Sequence, residues 1–195
     1  WYFIQLKGFN MGIITDTANS NNSYNNTAQT DDNYVFKKNN GQDVIYDTNG
    51  NDAIVLEGVN YSQVQFVLSG TGDDLKLTGY NGSNFVRISE LYQKPPSQIE
   101  SFVFNDIQLN LNNLTTMPLT LSLKEFTRVD LSFNNASVWS GPLKIVDMPD
   151  APEGSSSNYD YNYIQVTVYN DEIYDGNGQD RIYAKAGDDI LHSKA

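Results

Sequence analysis

Cysteine is absent from the 195 residues, and histidine occurs once, as His192. The first absence excludes disulfides, thiolate zinc sites and cysteine nucleophiles. The second leaves no multi-histidine metal site and no internal Ser-His-Asp triad. Positive charge is scarce: 12 Lys+Arg stand against 24 Asp+Glu, a formal net charge of -12 with a pI near 4.2. Such a surface repels nucleic acid and anionic lipid, so no nucleic acid is expected as a partner. No apolar run approaches the roughly 18–20 residues of a spanning helix, so no membrane span is expected. The motifs H-E-x-x-H and G-x-S-x-G are missing, and no catalytic residue is assigned. The start, Trp1-Tyr2-Phe3-Ile4-Gln5-Leu6-Lys7, lacks the basic and long apolar regions of a secretory signal.

Helical periodicity is hard to find. Alternating or β-branched runs are plentiful instead: Val64-Gln65-Phe66-Val67-Leu68, Phe85-Val86-Arg87-Ile88, Leu119-Thr120-Leu121-Ser122-Leu123 and Ile164-Gln165-Val166-Thr167-Val168. Gly, Asn, Asp and Ser clusters separate them, which is turn punctuation. The chain therefore reads as all-β with short strands, and Lys124-Glu125-Phe126 is at most one helical turn. Two polar stretches stand out. Thr17–Asp32 is too polar to bury a face and reads as a loop; Pro149–Asn158 reads as a linker. These give four parts: an N-terminal strand and polar loop (1–31), a main β region (32–148), the linker (149–158) and a C-terminal segment (159–195).

A short internal repeat is the informative feature. Gly41-Gln42-Asp43-Val44-Ile45-Tyr46 is followed nine residues on by Gly50-Asn51-Asp52-Ala53-Ile54-Val55. Near the end, Gly178-Gln179-Asp180-Arg181-Ile182-Tyr183 is followed, again at nine, by Gly187-Asp188-Asp189-Ile190-Leu191-His192. Asn170-Asp171-Glu172-Ile173 keeps the Asp and the Ile with Tyr169 in the glycine position, and Asp32-Asn33-Tyr34 supplies another Asp-x-apolar unit. One such unit alone is a tight turn; four in two nine-residue pairs are a repeat.

These units resemble the RTX (repeats-in-toxin) nonapeptide, G-G-x-G-x-D-x-U-x with U a large apolar residue. From Tyr34-Val35-Phe36 to Phe102-Val103-Phe104-Asn105-Asp106, the chain is also similar to the haemolysin-type calcium-binding-related module that adjoins such repeats. The likeness covers about residues 32–112 and 166–192. It departs where the leading glycine pair is Lys38-Asn39, Asp47-Thr48 or Ala184-Lys185. The resemblance implies short parallel β-roll coils flanking an antiparallel or spiral β region, with calcium (Ca2+) as cofactor. Each U residue points into a narrow core, while turn carbonyls and Asp carboxylates suit a hard cation.

By that likeness the metal-ligating residues are Asp32, Asp43, Asp52, Asp171, Asp180 and Asp189, with Gly41, Gly50, Gly178 and Gly187 shaping the turns. Ions in the family lie between turns n and n+2, about 18 residues apart. Asp171 with Asp189 satisfies the spacing, and Asp32 with Asp52, 20 apart, nearly does. Asp43 would need a partner near Tyr61-Ser62, and Asp180 one beyond the last residue. The implied function is a non-enzymatic, calcium-binding structural or adhesive segment of a secreted bacterial RTX-type protein, folded by Ca2+ outside the cell after type I secretion. The alternatives are a subunit of an extracellular filament or surface lattice, and the accessory C-terminal region of a secreted hydrolase or toxin. Partners would be calcium ions, further copies of the chain, or cell-surface carbohydrate contacted by some of the 13 Tyr and 2 Trp.

Overall fold

Alternation decides which face of each strand is buried, because successive side chains of a strand point to opposite sides. In Asp31–Lys37 the residues Asp32, Tyr34 and Phe36 are buried while their neighbours are partly exposed. The same period recurs in Gln42–Asp47, which buries Asp43, Ile45 and Asp47. A computed structural model describes residues 11–69, 74–89, 99–111, 118–126, 130–132, 141–151 and 161–194.

The strands in chain order are Met11–Thr15 (β1), Ser23–Asn26 (β2), Asp31–Lys37 (β3), Gln42–Asp47 (β4), Ala53–Glu57 (β5), Gln65–Ser69 (β6), Asp74–Thr78 (β7), Phe85–Ile88 (β8), Ser101–Val103 (β9) and Gln108–Asn110 (β10). They continue with Leu119–Ser122 (β11), Asp130–Ser132 (β12), Leu143–Val146 (β13), Asn162–Gln165 (β14), Glu172–Tyr174 (β15), Asp180–Tyr183 (β16) and Ile190–His192 (β17). One 3-10 turn, Tyr61–Gln63, is the only helical element among the described residues. No helix among them is long and apolar enough to cross a membrane.

The fold is all-β, and its two ends are parallel β-rolls. At the N-terminal end, β1, β3 and β5 pair in parallel in one sheet while β2 and β4 pair in parallel in another. Each strand thus neighbours the strand two places on. At the other end β11, β13, β15 and β17 share one sheet and β12, β14 and β16 the facing one, all parallel. Between the rolls, β6, β7 and β8 form an antiparallel meander that joins both into one nine-stranded sheet, ordered β17-β15-β13-β11-β6-β7-β8-β4-β2. A β9-β10 hairpin closes the edge beside β5.

The rolls are longer than the repeat motif alone implies. β2 lies inside the Thr17–Asp32 stretch that composition reads as a loop. It is kept by Tyr24, whose ring meets Tyr34 at 6.0 Å and Phe36 at 5.8 Å. In the stretch read as a linker, Asp150 and Ala151 are tied to the turn after β15: the Ala151 N–H donates to the Asn177 carbonyl at 2.6 Å, and the Asn177 N–H to Asp150 Oδ1 at 2.8 Å. Residues 152–158 lie outside the described residues. Lys124-Glu125-Phe126 forms a turn, not a helix.

The core runs through both rolls and the meander, with Ile45, Ile54, Leu75, Ile88, Phe102, Ile145 and Ile164 fully buried. It ends at the last coil. Leu191 stacks in register on the buried Ile173 but is itself 52% exposed.

Candidate metal centre

A parallel roll brings the turns of successive coils over one another, so the polar groups of each turn face those of the next. In the N-terminal roll the partners of β3 and β5 differ by 20 residues, as in Asn33 with Ala53, which sets Asp32 directly beside Asp52. The turn entering β5 contributes one more carboxylate, Asp47, at the end of β4. Asp32, Asp47 and Asp52 are 4%, 0% and 1% exposed. Ligand oxygens from the three lie within 4.8 Å of one another.

Their hydrogen bonds leave the cluster incomplete. Asp32 Oδ2 accepts from Asn26 Nδ2 at 2.6 Å and from the Thr30 hydroxyl at 2.8 Å. Asp47 Oδ2 accepts from the Tyr34 hydroxyl at 2.5 Å. Asp52 Oδ1 accepts from the Asp32 N–H at 2.7 Å, but Asp52 Oδ2 is buried with no hydrogen-bond partner. The Asp52 N–H in turn donates to Glu100 Oε2 at 2.6 Å. Burial, reinforced by Asp47, Glu100 and Asp32 and opposed by the Asp32 N–H, pushes the Asp52 carboxyl up to about 8. Burial also raises Asp47 and Glu100.

A buried oxygen of this kind is expensive to leave bare. Three carboxylates crowded out of water need positive charge or protons. The donor set is all oxygen, which suits a hard cation, and oxygen pairs spanning up to 4.8 Å fit across an ion bound at about 2.3–2.6 Å per ligand. This trio can hold a metal ion.

Glycine lets the coils approach. Gly50 has φ +115°, and a Cβ there would stand 2.1 Å from the Thr30 carbonyl oxygen and 2.9 Å from Asp52 Oδ1. Gly41 (φ +105°) meets the Ser20 carbonyl in the same way. Gly187 (φ +129°) lies over the Tyr169 carbonyl and Gly178 (φ +97°) over Ala151. Where the family pattern has its second glycine, Lys185 itself takes the left-handed conformation, at φ 66°.

The other motif aspartates have different surroundings. Asp43 is fully buried, accepting from the Asn22 N–H at 2.9 Å and from Asn40 Nδ2 at 2.6 Å. Its strand is followed in the sheet by β8, with Asp43 opposite Val86, because the meander is interposed. Its polar neighbours therefore come from its own turn and the preceding coil, not from Tyr61-Ser62. Asp171 and Asp189 are adjacent: the Asp171 N–H donates to Asp189 Oδ1 at 2.8 Å. Yet both oxygens of Asp171 are occupied, by the Leu143 N–H at 2.7 Å, the Thr167 N–H at 2.9 Å and the Thr167 hydroxyl. Asp180 Oδ1 accepts from Asn162 Nδ2 at 2.7 Å. His192 lies flat on Tyr174, with centroids 4.1 Å apart, and its Nε2 is 3.0 Å from Glu172 Oε1.

Asp47 and Glu100 are absent from the motif reading. Asp47 occupies a position that the repeat pattern reserves for glycine, so an acid there was itself the signal. Glu100 reaches Asp52 across 48 residues, and no local spacing announces it. Comparison with known proteins finds no matching family model and no matching curated sequence.

Proposed function

We propose that this chain is a calcium-binding structural segment of a secreted RTX-type protein, in which Ca2+ at the Asp32–Asp47–Asp52 centre locks adjacent coils of the N-terminal roll. The observation that carries the reading is the buried, unpartnered Asp52 Oδ2 in a trio of carboxylates whose ligand oxygens lie within 4.8 Å of one another. The parallel rolls and the glycine-shaped turns support the RTX assignment. A bound divalent ion would supply the positive charge that these carboxylates lack.

The chain's own residues prepare the centre. Tyr34 holds Asp47, Asn26 and Thr30 hold Asp32, and the Asp32 N–H holds Asp52, so the ligand oxygens are positioned by the coil rather than by the ion. With the ion absent, mutual repulsion and desolvation oppose closing the coil, and raised carboxyl pKa values express that opposition. With it present, binding free energy becomes folding free energy. In a low-calcium cytosol the roll would be weakly held, and outside the cell it would close. Nothing in this role requires catalysis.

Thermal unfolding of the full chain, with Ca2+, with Mg2+ and with EGTA, tests the reading. Ca2+ is expected to raise the melting temperature and Mg2+ to do much less, since Mg2+ resists losing its water shell. A melting temperature indifferent to Ca2+ and EGTA would overturn the proposal.

A further inference from the structure

Four Asn-Gly pairs occur in the chain: Asn40-Gly41, Asn49-Gly50, Asn81-Gly82 and Asn177-Gly178. In such a pair the second residue carries no side chain to shield its backbone nitrogen, so that nitrogen can attack the asparagine amide carbon. Folding decides which pair reacts. Asn40 is fully buried, its Nδ2 donating to Asp43 Oδ2 at 2.6 Å and to the Phe85 carbonyl at 3.1 Å. The Asn40 oxygen accepts from the Tyr80 hydroxyl at 2.9 Å. Asn49 is half-buried, and its Nδ2 donates to the Thr27 carbonyl and to the Thr48 hydroxyl, each at 3.0 Å. Asn177 is half-buried as well, with its side chain hydrogen-bonded to Asp150.

The glycines differ more sharply. A Cβ on Gly41 or Gly50 would stand 2.1 Å from a carbonyl oxygen of the preceding coil, and one on Gly178 2.9 Å from the Ala151 methyl. Coil stacking leaves no space beside those three for the backbone to close onto its own side chain. Around Gly82, at φ +58°, nothing lies within 4 Å. Asn81, Gly82 and Ser83 are exposed, in the turn between β7 and β8 that the Asn84 N–H closes onto the Asn81 carbonyl at 3.1 Å. This turn belongs to the meander and to no stacked coil. It is latched to the turn between β3 and β4: Asn81 Nδ2 and Asn84 Nδ2 both donate to the Lys38 carbonyl, at 3.1 and 3.2 Å. Gln42 Nε2 donates to the Ser83 carbonyl at 3.2 Å, and the Phe85 N–H to the Gly41 carbonyl at 2.9 Å.

We infer that Asn81 is a site of spontaneous covalent modification, deamidation through a succinimide, and that the reaction loosens the latch between the meander and the N-terminal roll. Base removes the Gly82 amide proton, the nitrogen bonds to Asn81 Cγ, and the side-chain nitrogen leaves as ammonia, taking up a proton. Water then opens the ring. Cleavage at Cγ leaves aspartate; cleavage at the Asn81 backbone carbonyl leaves isoaspartate, with the main chain rerouted through the side chain. Either product adds a negative charge to a chain already at -12 and removes the Nδ2 donor to the Lys38 carbonyl. A carboxylate cannot donate, so a hydrogen bond of the latch is lost. The inference is independent of any bound cation.

Peptide mapping by mass spectrometry tests the assignment, on the full chain aged at mildly alkaline pH in native buffer and, in parallel, in guanidinium chloride. In the folded chain Asn81 is expected to deamidate first, with isoaspartate among its products. Asn40, Asn49 and Asn177 should approach its rate only in denaturant. Asn81→Asp reproduces one product without ageing, and hydrogen exchange at the Phe85 N–H should then be several-fold faster than in wild type. Conversion of Asn40, Asn49 or Asn177 as fast as Asn81 in the folded chain overturns the site. So does an Asn81 that stays intact there while the denatured chain converts. Phe85 exchange unchanged by Asn81→Asp overturns the loosening of the latch.

Discussion

The backbone N–H of Asp32 donates to the Asp52 carboxylate at 2.7 Å, and one residue away the Asn51 N–H donates back to Asp31 Oδ1 at 3.0 Å. This reciprocal stitch recurs twice. Asn22 donates to Asp43 while Gln42 donates to Asn21, and Asp171 donates to Asp189 while Asp188 donates to Asn170. The aspartate in three of the four Gly-x-Asp units, Asp43, Asp52 and Asp189, therefore satisfies a backbone donor of the preceding coil, whereas Asp180 accepts from the Asn162 side-chain amide. Acceptors of this kind matter because a buried N–H left without one is costly.

The stitch separates neighbours of equal charge. Asp189→Ala removes an acceptor from the Asp171 N–H and should lower stability by about 1 kcal/mol or more. Asp188→Ala leaves its own backbone donor in place and should stay within about 0.5 kcal/mol of wild type. Urea unfolding of both variants measures the difference. Equal losses would mean that the carboxylate of Asp189 does no capping.

The buried acids give the metal-free protein an inverted pH response. Asp52 titrates at about 8 in the fold, against about 3.9 when unfolded. Between those values the native state binds more protons than the unfolded one, so stability is greatest at the acid end and falls as pH rises. In EGTA the melting temperature should therefore decline from about pH 5 to about pH 8. The increment due to Ca2+ should grow over the same window, with protons released on binding. Titration calorimetry in buffers of different ionisation enthalpy reads the released protons directly. A Ca2+ increment that shrinks as pH rises through this range would contradict the assignment of Asp52.

Glycine and lysine at left-handed positions should respond oppositely. Gly50→Ala strains a backbone at φ +115° and drives a methyl against the Thr30 carbonyl, a loss of about 1–3 kcal/mol or more. Lys185→Gly relieves a lysine at φ 66° and should gain about 1 kcal/mol. Denaturant midpoints decide both. A loss at Lys185→Gly would show that the lysine's charge, set in the field of Asp171, outweighs its backbone strain.

Much of the architecture could be read from the nine-residue spacing. Gly41 and Gly50 place the turns before β4 and β5, and Gly178 and Gly187 those before β16 and β17, because a Gly-x-Asp turn followed by an apolar residue leaves the chain few other courses. The coils without that signature were invisible to it. β11 and β13 pair with a difference of 24 residues (Leu119 with Leu143), β13 and β15 with one of 28 (Lys144 with Glu172), and no constant period links them. The site was half legible for a related reason. Asp32 and Asp52 carry the motif, whereas Asp47 lies at a turn position that the repeat pattern reserves for glycine. An Asx-Asx pair 18 to 21 residues before three of the four Gly-x-Asp units, at Asn21-Asn22, Asp31-Asp32 and Asn170-Asp171, was the available clue. Its meaning depends on stacking that only the folded coil displays.

We propose that the Asp32–Asp47–Asp52 cluster takes a cation rather than holding the fold unaided. Asp52→Asn tests it most directly, because asparagine keeps an oxygen for the Asp32 N–H while removing the charge and supplying a donor beside Asp47 and Asp32. Melting of wild type and variant is measured in EGTA and in Ca2+. The variant should be at least as stable as wild type in EGTA, and should lose most of the gain that Ca2+ confers on the wild type. A variant that is less stable in EGTA yet keeps the full Ca2+ gain would contradict the account.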